Sequence, residues 1–151
     1  MKIKVLFICH GNICRSPMAE IIMKDIVRKA HREDEFLIES RATSREELGN
    51  GIYPPARREI EAHGLPYNKN HMAMQVKASD YDEYDYLIIM DERNRSYLKR
   101  IIGDDPENKV SFLMDYTDNP EEIEDPWYTG NYHKVWNQIE YGCKAFWNAI
   151  K

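Results

Sequence analysis

Cys9-His10-Gly11-Asn12-Ile13-Cys14-Arg15-Ser16-Pro17 is the stretch on which the fold of this chain turns. Before it runs Ile3 to Ile8, a short apolar segment with polar borders, which predicts a buried parallel strand. After it, Ser16 is placed to cap a helix and also to donate to the Cys9 sulfur, and Pro17 suits that helix's first turn, where a missing N–H costs nothing. The nine residues therefore form a strand-to-helix loop, with Cys9 at the strand's end. Backbone amides converging at a helix N-terminus bind anions through their oriented dipoles. Arg15 adds a planar fork of donors matched to two phosphate oxygens. The same field favours thiolate over thiol at Cys9 and makes it a nucleophile. A nucleophile under an anion cradle is a phosphoryl-transfer site.

Working outward, Ala19, Ile22, Met23, Ile26, Val27 and Ala30 recur at helical spacing and give the first helix one apolar face. Phe36 to Ser40 predicts a second strand, completing a β-loop-α-β unit that crosses over right-handed into a parallel sheet. Residues 41 to 54 are polar and carry Gly49, Gly51 and Pro54, which predicts a long surface loop. A short helix over Pro55 to His63 ends at Gly64 and Pro66, and Tyr67 to Val76 is irregular. Asp85 to Met90 is a strand, Asp91-Glu92 starts a helix, and Val110 to Leu113 is a fourth strand. Asp115 to Gly130 is a long acidic loop, followed by a helix from about Tyr132 to the end. The expected fold class is α/β: a four-stranded parallel sheet with helices on both faces, and the phosphate-binding loop between strand 1 and helix 1.

Composition narrows the function classes. With 21 basic against 26 acidic residues the net charge is −5, which disfavours a nucleic-acid partner. Membrane insertion is not expected, since no apolar run is long enough to span a bilayer. The three cysteines, Cys9, Cys14 and Cys143, are too few and too odd for a secreted disulfide framework, so a reducing, cytoplasmic compartment is expected. His10, His31, His63, His71 and His133 show no ligand spacing, so neither metal nor cofactor is implied. No repeat or linker divides the chain, and a single domain over residues 1–151 is expected.

The loop, its place near the N-terminus, the chain length and a distant Asp125-Pro126-Trp127-Tyr128 together resemble the low-molecular-weight protein tyrosine phosphatases over essentially the whole chain. The resemblance implies phosphotyrosine hydrolysis through a cysteinyl-phosphate, with Cys9 as nucleophile, Arg15 and the amides from His10 through Arg15 holding phosphate, and Asp125 as acid. Sequence alone does not separate Asp125 from Asp118, Glu121, Glu122 or Glu124. Whichever acts must keep its proton near neutral pH, and the bound phosphate dianion and neighbouring Glu124 are the candidate sources of the required negative field. The resemblance also implies loop support from Asn12, Ser16, Ser40 and His71, although a small insertion precedes His71 and Met74 stands where the family usually carries Arg. Trp127 and Tyr128 either wall a slot for the phosphotyrosine ring or pack the loop. Glu46 and Glu47 are either a solvated pair or a rim that repels acidic flanks. Cys14 either fills space under the loop or traps oxidised Cys9 as a disulfide. Expected partners are phosphotyrosine proteins, a tyrosine kinase among them, and phosphate or other oxyanions in the site. The alternatives sharing the fold are an arsenate reductase, which needs a relay cysteine better placed than Cys143, and a protein-arginine phosphatase, which typically has Thr where this chain has Ile13. A catalytically inactive phosphotyrosine-binding module is the non-enzymatic alternative.

Overall fold

In the computed structural model, which describes residues 1–151, strand β1 (Ile3–Cys9) is the axis of the molecule. It pairs in parallel with β2 (Phe36–Ala42) on one side and β3 (Tyr86–Ile89) on the other, and β4 (Val110–Phe112) gives the order β2-β1-β3-β4. Helices α1 (Arg15–Lys29), α2 (Pro54–Ala62) and α6 (Tyr132–Ile150) pack on one face, α3 (Asp80–Glu83) and α4 (Glu92–Ile102) on the other. Coverage of both faces explains why β1 reads as a continuous apolar run from Val5 to Cys9. Val5 and Phe7 enter the larger core beside Met18, Trp136 and Phe146, while Leu6 and Ile8 join Leu87, Ile89 and Leu98. Each such buried side chain contributes about 1.5–3 kcal/mol.

The register sets Cys9 opposite Ala42 and Ile8 opposite Ile89, so the carboxyl ends of β1, β2 and β3 share one rim. β2 runs past its expected end because Ala42 donates to the Met74 carbonyl (2.7 Å) and accepts from the Val76 amide (2.8 Å). The long acidic loop holds more structure than its sequence predicts: a 3-10 turn at Leu113–Tyr116 and a short helix α5 (Pro126–Thr129) capped by Asp125. Helix α3 was not expected either. No helix is long and apolar enough to cross a membrane.

The capping role expected of Ser16 is not found. α1 starts at Arg15, Cys14 occupies the N-cap without a side-chain bond, and the Ser16 hydroxyl faces Cys9 instead. Ser16 lies one residue inside the helix, so its hydroxyl meets the sulfur at 3.0 Å and the Arg41 carbonyl at 3.4 Å.

Candidate active site

The loop from Cys9 to Arg15 is organised by what happens to its carbonyls. Those of Cys9 and His10 accept from the Thr43 and Ser44 amides (2.9 and 3.0 Å), that of Ile13 from the Tyr53 amide (2.9 Å), and that of Cys14 from the Met18 amide (3.2 Å). The Asn12 carbonyl pairs with His71 Nε2 at 2.9 Å. None of the amides from His10 to Arg15 donates to an acceptor within the chain. Every amide can therefore turn inward, which is the geometry of an anion cradle.

Asn12 makes that arrangement possible. It sits at φ 60°, a left-handed conformation uncommon outside glycine but tolerated by Asn. Its fully buried side chain holds the strained turn: Nδ2 donates to Ser16 Oγ (2.8 Å) and Ser40 Oγ (2.9 Å), and Oδ1 accepts from the Met74 amide (3.2 Å). Ser16 Oγ lies 3.0 Å from Cys9 Sγ, and the Ser16 amide points at the same sulfur from 3.4 Å. Since Asn12 donates to the Ser16 hydroxyl, that hydroxyl's own proton goes either to the sulfur at 3.0 Å or to the Arg41 carbonyl at 3.4 Å. His71 and Ser40 thus sit where loop support requires, and Met74 serves through its backbone.

Arg15 is 2% exposed. Its Nη1 donates to Asp91 Oδ2 (2.6 Å) and to the Ile123 carbonyl (2.8 Å), and its Nη2 lies 3.5 Å from Asp125 Oδ2. Burial opposes the guanidinium's charge, but Cys9, Asp91 and Asp125 more than offset it, and its pKa is raised. Asp91 does two jobs with one carboxylate: Oδ1 caps α4 through the Asn94 amide (2.8 Å), and Oδ2 anchors Arg15. The sequence placed Asp91 only at the start of a helix, where an acid suits the dipole. An Asp at the carboxyl end of the strand beside β1 was the available signal.

The slot above the sulfur has a volume of about 110 Å³ and is lined by Cys9, Ile13 and Arg15 below and by Glu46, Glu47, Asp125, Trp127 and Tyr128 around the mouth. Trp127 and Tyr128 are substantially exposed, and Tyr53 packs against Trp127 with ring centroids 4.6 Å apart. The rival acids are engaged elsewhere: Glu121 with Gln138 (2.8 Å), Glu122 with the Glu92 amide (2.6 Å), and Glu124 with Lys134 (2.6 Å) and Asn131 (3.0 Å). Lys134, Thr129 and Asn131 hold the Glu124 carboxyl down at about 2. Its charge is spent on Lys134, so Glu124 does not supply the negative field expected of it. Asp118 does not line the slot, which leaves Asp125 facing Arg15.

Cys14 is buried beneath the loop near the Tyr132 hydroxyl (3.8 Å), and burial, with the charge of Cys9, pushes its thiol up to about 12. Cys143 is fully buried with its thiol toward the Ala19 carbonyl, so it cannot pass a disulfide outward. A larger concavity, about 640 Å³, runs along the outer edge of β2 and touches the loop only from behind, through Ser40, His71 and Met74. It contains no nucleophile.

Residues 4–151 match the family described as low molecular weight phosphotyrosine protein phosphatase. The chain belongs to that family. A low molecular weight phosphotyrosine protein phosphatase from Saccharomyces cerevisiae is 41% identical over 155 residues, covering 96% of this chain and 93% of the relative. The crystal structure of YfkJ from Bacillus subtilis superposes with a TM-score of 0.95 at 33% identity, covering 99% of this chain and 95% of that one. A Drosophila arginine phosphatase has the same fold, with a TM-score of 0.85 at 30% identity over 100% of this chain and 98% of its own. Phosphatases of this family thus share the architecture of this chain.

Proposed function

We propose that the protein is a protein tyrosine phosphatase working through a cysteinyl-phosphate. The observation that carries this is the convergence of the unpartnered amides, the Ser16-bonded sulfur of Cys9 and the anchored guanidinium of Arg15 below an aromatic-walled mouth that also holds Asp125. Cys9 attacks phosphorus as thiolate, an S–P bond forms, and the P–O bond to the aryl oxygen breaks. Asp125 gives its proton to the leaving oxygen. The amides from His10 to Arg15 and the Arg15 guanidinium hold the three equatorial oxygens where charge spreads in the transition state. In the second step water attacks phosphorus, Asp125 takes its proton, and the S–P bond breaks to release phosphate and restore the thiolate.

Trp127 and Tyr128 form the walls against which a phenyl ring stacks. The depth of that slot favours tyrosine, because a phosphoserine side chain is too short to bring phosphorus to the sulfur. Ile13 lines the same slot with an apolar side chain that cannot bond a phosphoguanidinium, which argues against an arginine phosphatase. Buried Cys143 argues against an arsenate reductase. Proteins carrying phosphotyrosine, tyrosine kinases among them, are the proposed substrates. The cytoplasm is the proposed compartment, in keeping with three free thiols on one domain over residues 1–151. Cys14, buried in the same loop as the nucleophile, is the proposed trap for a peroxide-oxidised Cys9: the sulfenic acid loses water as a Cys9–Cys14 disulfide forms. Mass spectrometry after peroxide treatment decides this, since irreversible Cys9 oxidation with no bridge excludes it.

Turnover of para-nitrophenyl phosphate without added metal, beside phosphotyrosine, phosphoserine and phosphoarginine peptides, tests the main reading. Aryl phosphate and phosphotyrosine are expected to be cleaved and the other two spared. Preference for phosphoarginine overturns it.

A further inference from the structure

We infer that Glu46 and Glu47 make this slot select phosphotyrosines flanked by Lys or Arg, with His10 as the positioning residue for Glu46. The inference rests on the phosphotyrosine phosphatase reading and names its substrate class. Both carboxylates line the mouth of the slot, and both are held against the phosphate loop. Glu46 Oε2 takes the Nε2–H of His10 at 2.7 Å, and the His10 ring stands edge-on to Tyr97 at 5.7 Å. The other ring nitrogen, Nδ1, is buried without a partner, so Glu46 is the only hydrogen-bonding group that orients the imidazole. Glu47 packs its stem over Gly11, where an added Cβ would come within 3.3 Å of its Cγ, and accepts from Asn50 Nδ2 at 2.6 Å.

Neither carboxylate has a Lys or Arg partner, whereas Glu20 and Asp25 on α1 and Glu124 beside Asp125 each have one. Two unneutralised negative charges beside a site built for a phosphate dianion repel that dianion. They contribute favourably only when the substrate brings a cation to them. The only Lys or Arg lining the slot is Arg15, already committed to Asp91 and the Ile123 carbonyl, so the rim offers a basic flank two carboxylates and no competing Lys or Arg. Complementary charge at a rim sets partner choice more than total affinity.

The test uses phosphotyrosine peptides that differ only in Lys or Glu beside the phosphotyrosine. Each kcat/KM is divided by the same protein's value for para-nitrophenyl phosphate, which has no flank. The unaltered protein is expected to favour the Lys peptide about tenfold at low salt, with the preference shrinking as salt screens the rim. Glu46→Gln and Glu47→Gln should each remove about threefold of it, and charge reversal in the double Lys variant should invert it. His10→Leu should lower the preference through KM rather than kcat, with no further loss when Glu46→Gln is added. Dissociation constants of the same peptides for Cys9→Ser protein give the ranking without turnover. Equal treatment of the two peptides by a protein that cleaves para-nitrophenyl phosphate overturns the inference and leaves the phosphatase reading standing. Failure to cleave para-nitrophenyl phosphate, with Lys-peptide preference retained in binding, overturns the chemistry and leaves the rim.

Discussion

The two halves of the site are built in opposite ways. The loop from Cys9 to Arg15 is buried and over-determined, with five carbonyls tied outward and Asn12 bonded on every side. The segment carrying Asp125, Trp127 and Tyr128 is exposed. It is attached through the Ile123 amide to Met90 (3.1 Å), the Ile123 carbonyl to Arg15 and the Glu124–Lys134 pair. The part that must match a transition state is rigid before substrate arrives, and the part that must admit a ring is presented on a loop. Rigidity and access are assigned to different stretches of chain.

Breaking the rigid half should have the largest effect. Cys9→Ser is expected to abolish turnover while leaving oxyanion binding, read by vanadate or phosphate titration; surviving hydrolysis excludes the covalent route. The loop-borne half comes next. Asp125→Asn should cost about 10²–10⁴-fold in kcat, most for substrates with poor leaving groups, and a loss independent of leaving group would make Asp125 positional. Between the halves stands Asp91. Asp91→Asn should lower kcat/KM by about 10²-fold by letting the guanidinium drift, and an unchanged value would mean that the Ile123 carbonyl alone suffices. The smallest effect concerns the loop's own anchor. The folded-state pKa of Glu124 is lowered to about 2 from 4.5, so its pairing stabilises above pH 4.5 and is lost as pH falls through about 2. The stability gap between the protein and its Lys134→Met variant, measured by urea melts, should therefore close across that interval.

What the sequence disclosed followed the same division. The phosphate loop is local: strand, cradle and helix are contiguous, so Cys9, Arg15 and the order of the elements could be read directly. The acid was readable only through resemblance, because its rivals lie within a few residues and differ in which distant group they meet. Asp91 escaped notice since its partner is 76 positions away. Of the two readings of Ser16, cap of the helix and donor to the Cys9 sulfur, the fold keeps the second, because the strand end and the helix start are brought within 3.0 Å of each other. The His10–Glu46 pair has no periodic or motif signal at all and exists only because β1 and β2 end side by side.

One contact reaches further than its length suggests. Nη2 of Arg15 faces Asp125 at 3.5 Å, while Nη1 is committed to Asp91 and Ile123. On the proposed mechanism a phosphoryl oxygen entering the cradle would compete for that same Nη2 and displace the Asp125 carboxylate from the guanidinium. Freed from the cation and set beside a dianion, that carboxylate would take up a proton from solvent, the proton it then gives to the departing phenol. Substrate arrival and protonation of the acid would thus be linked through one exchange of partners on one nitrogen.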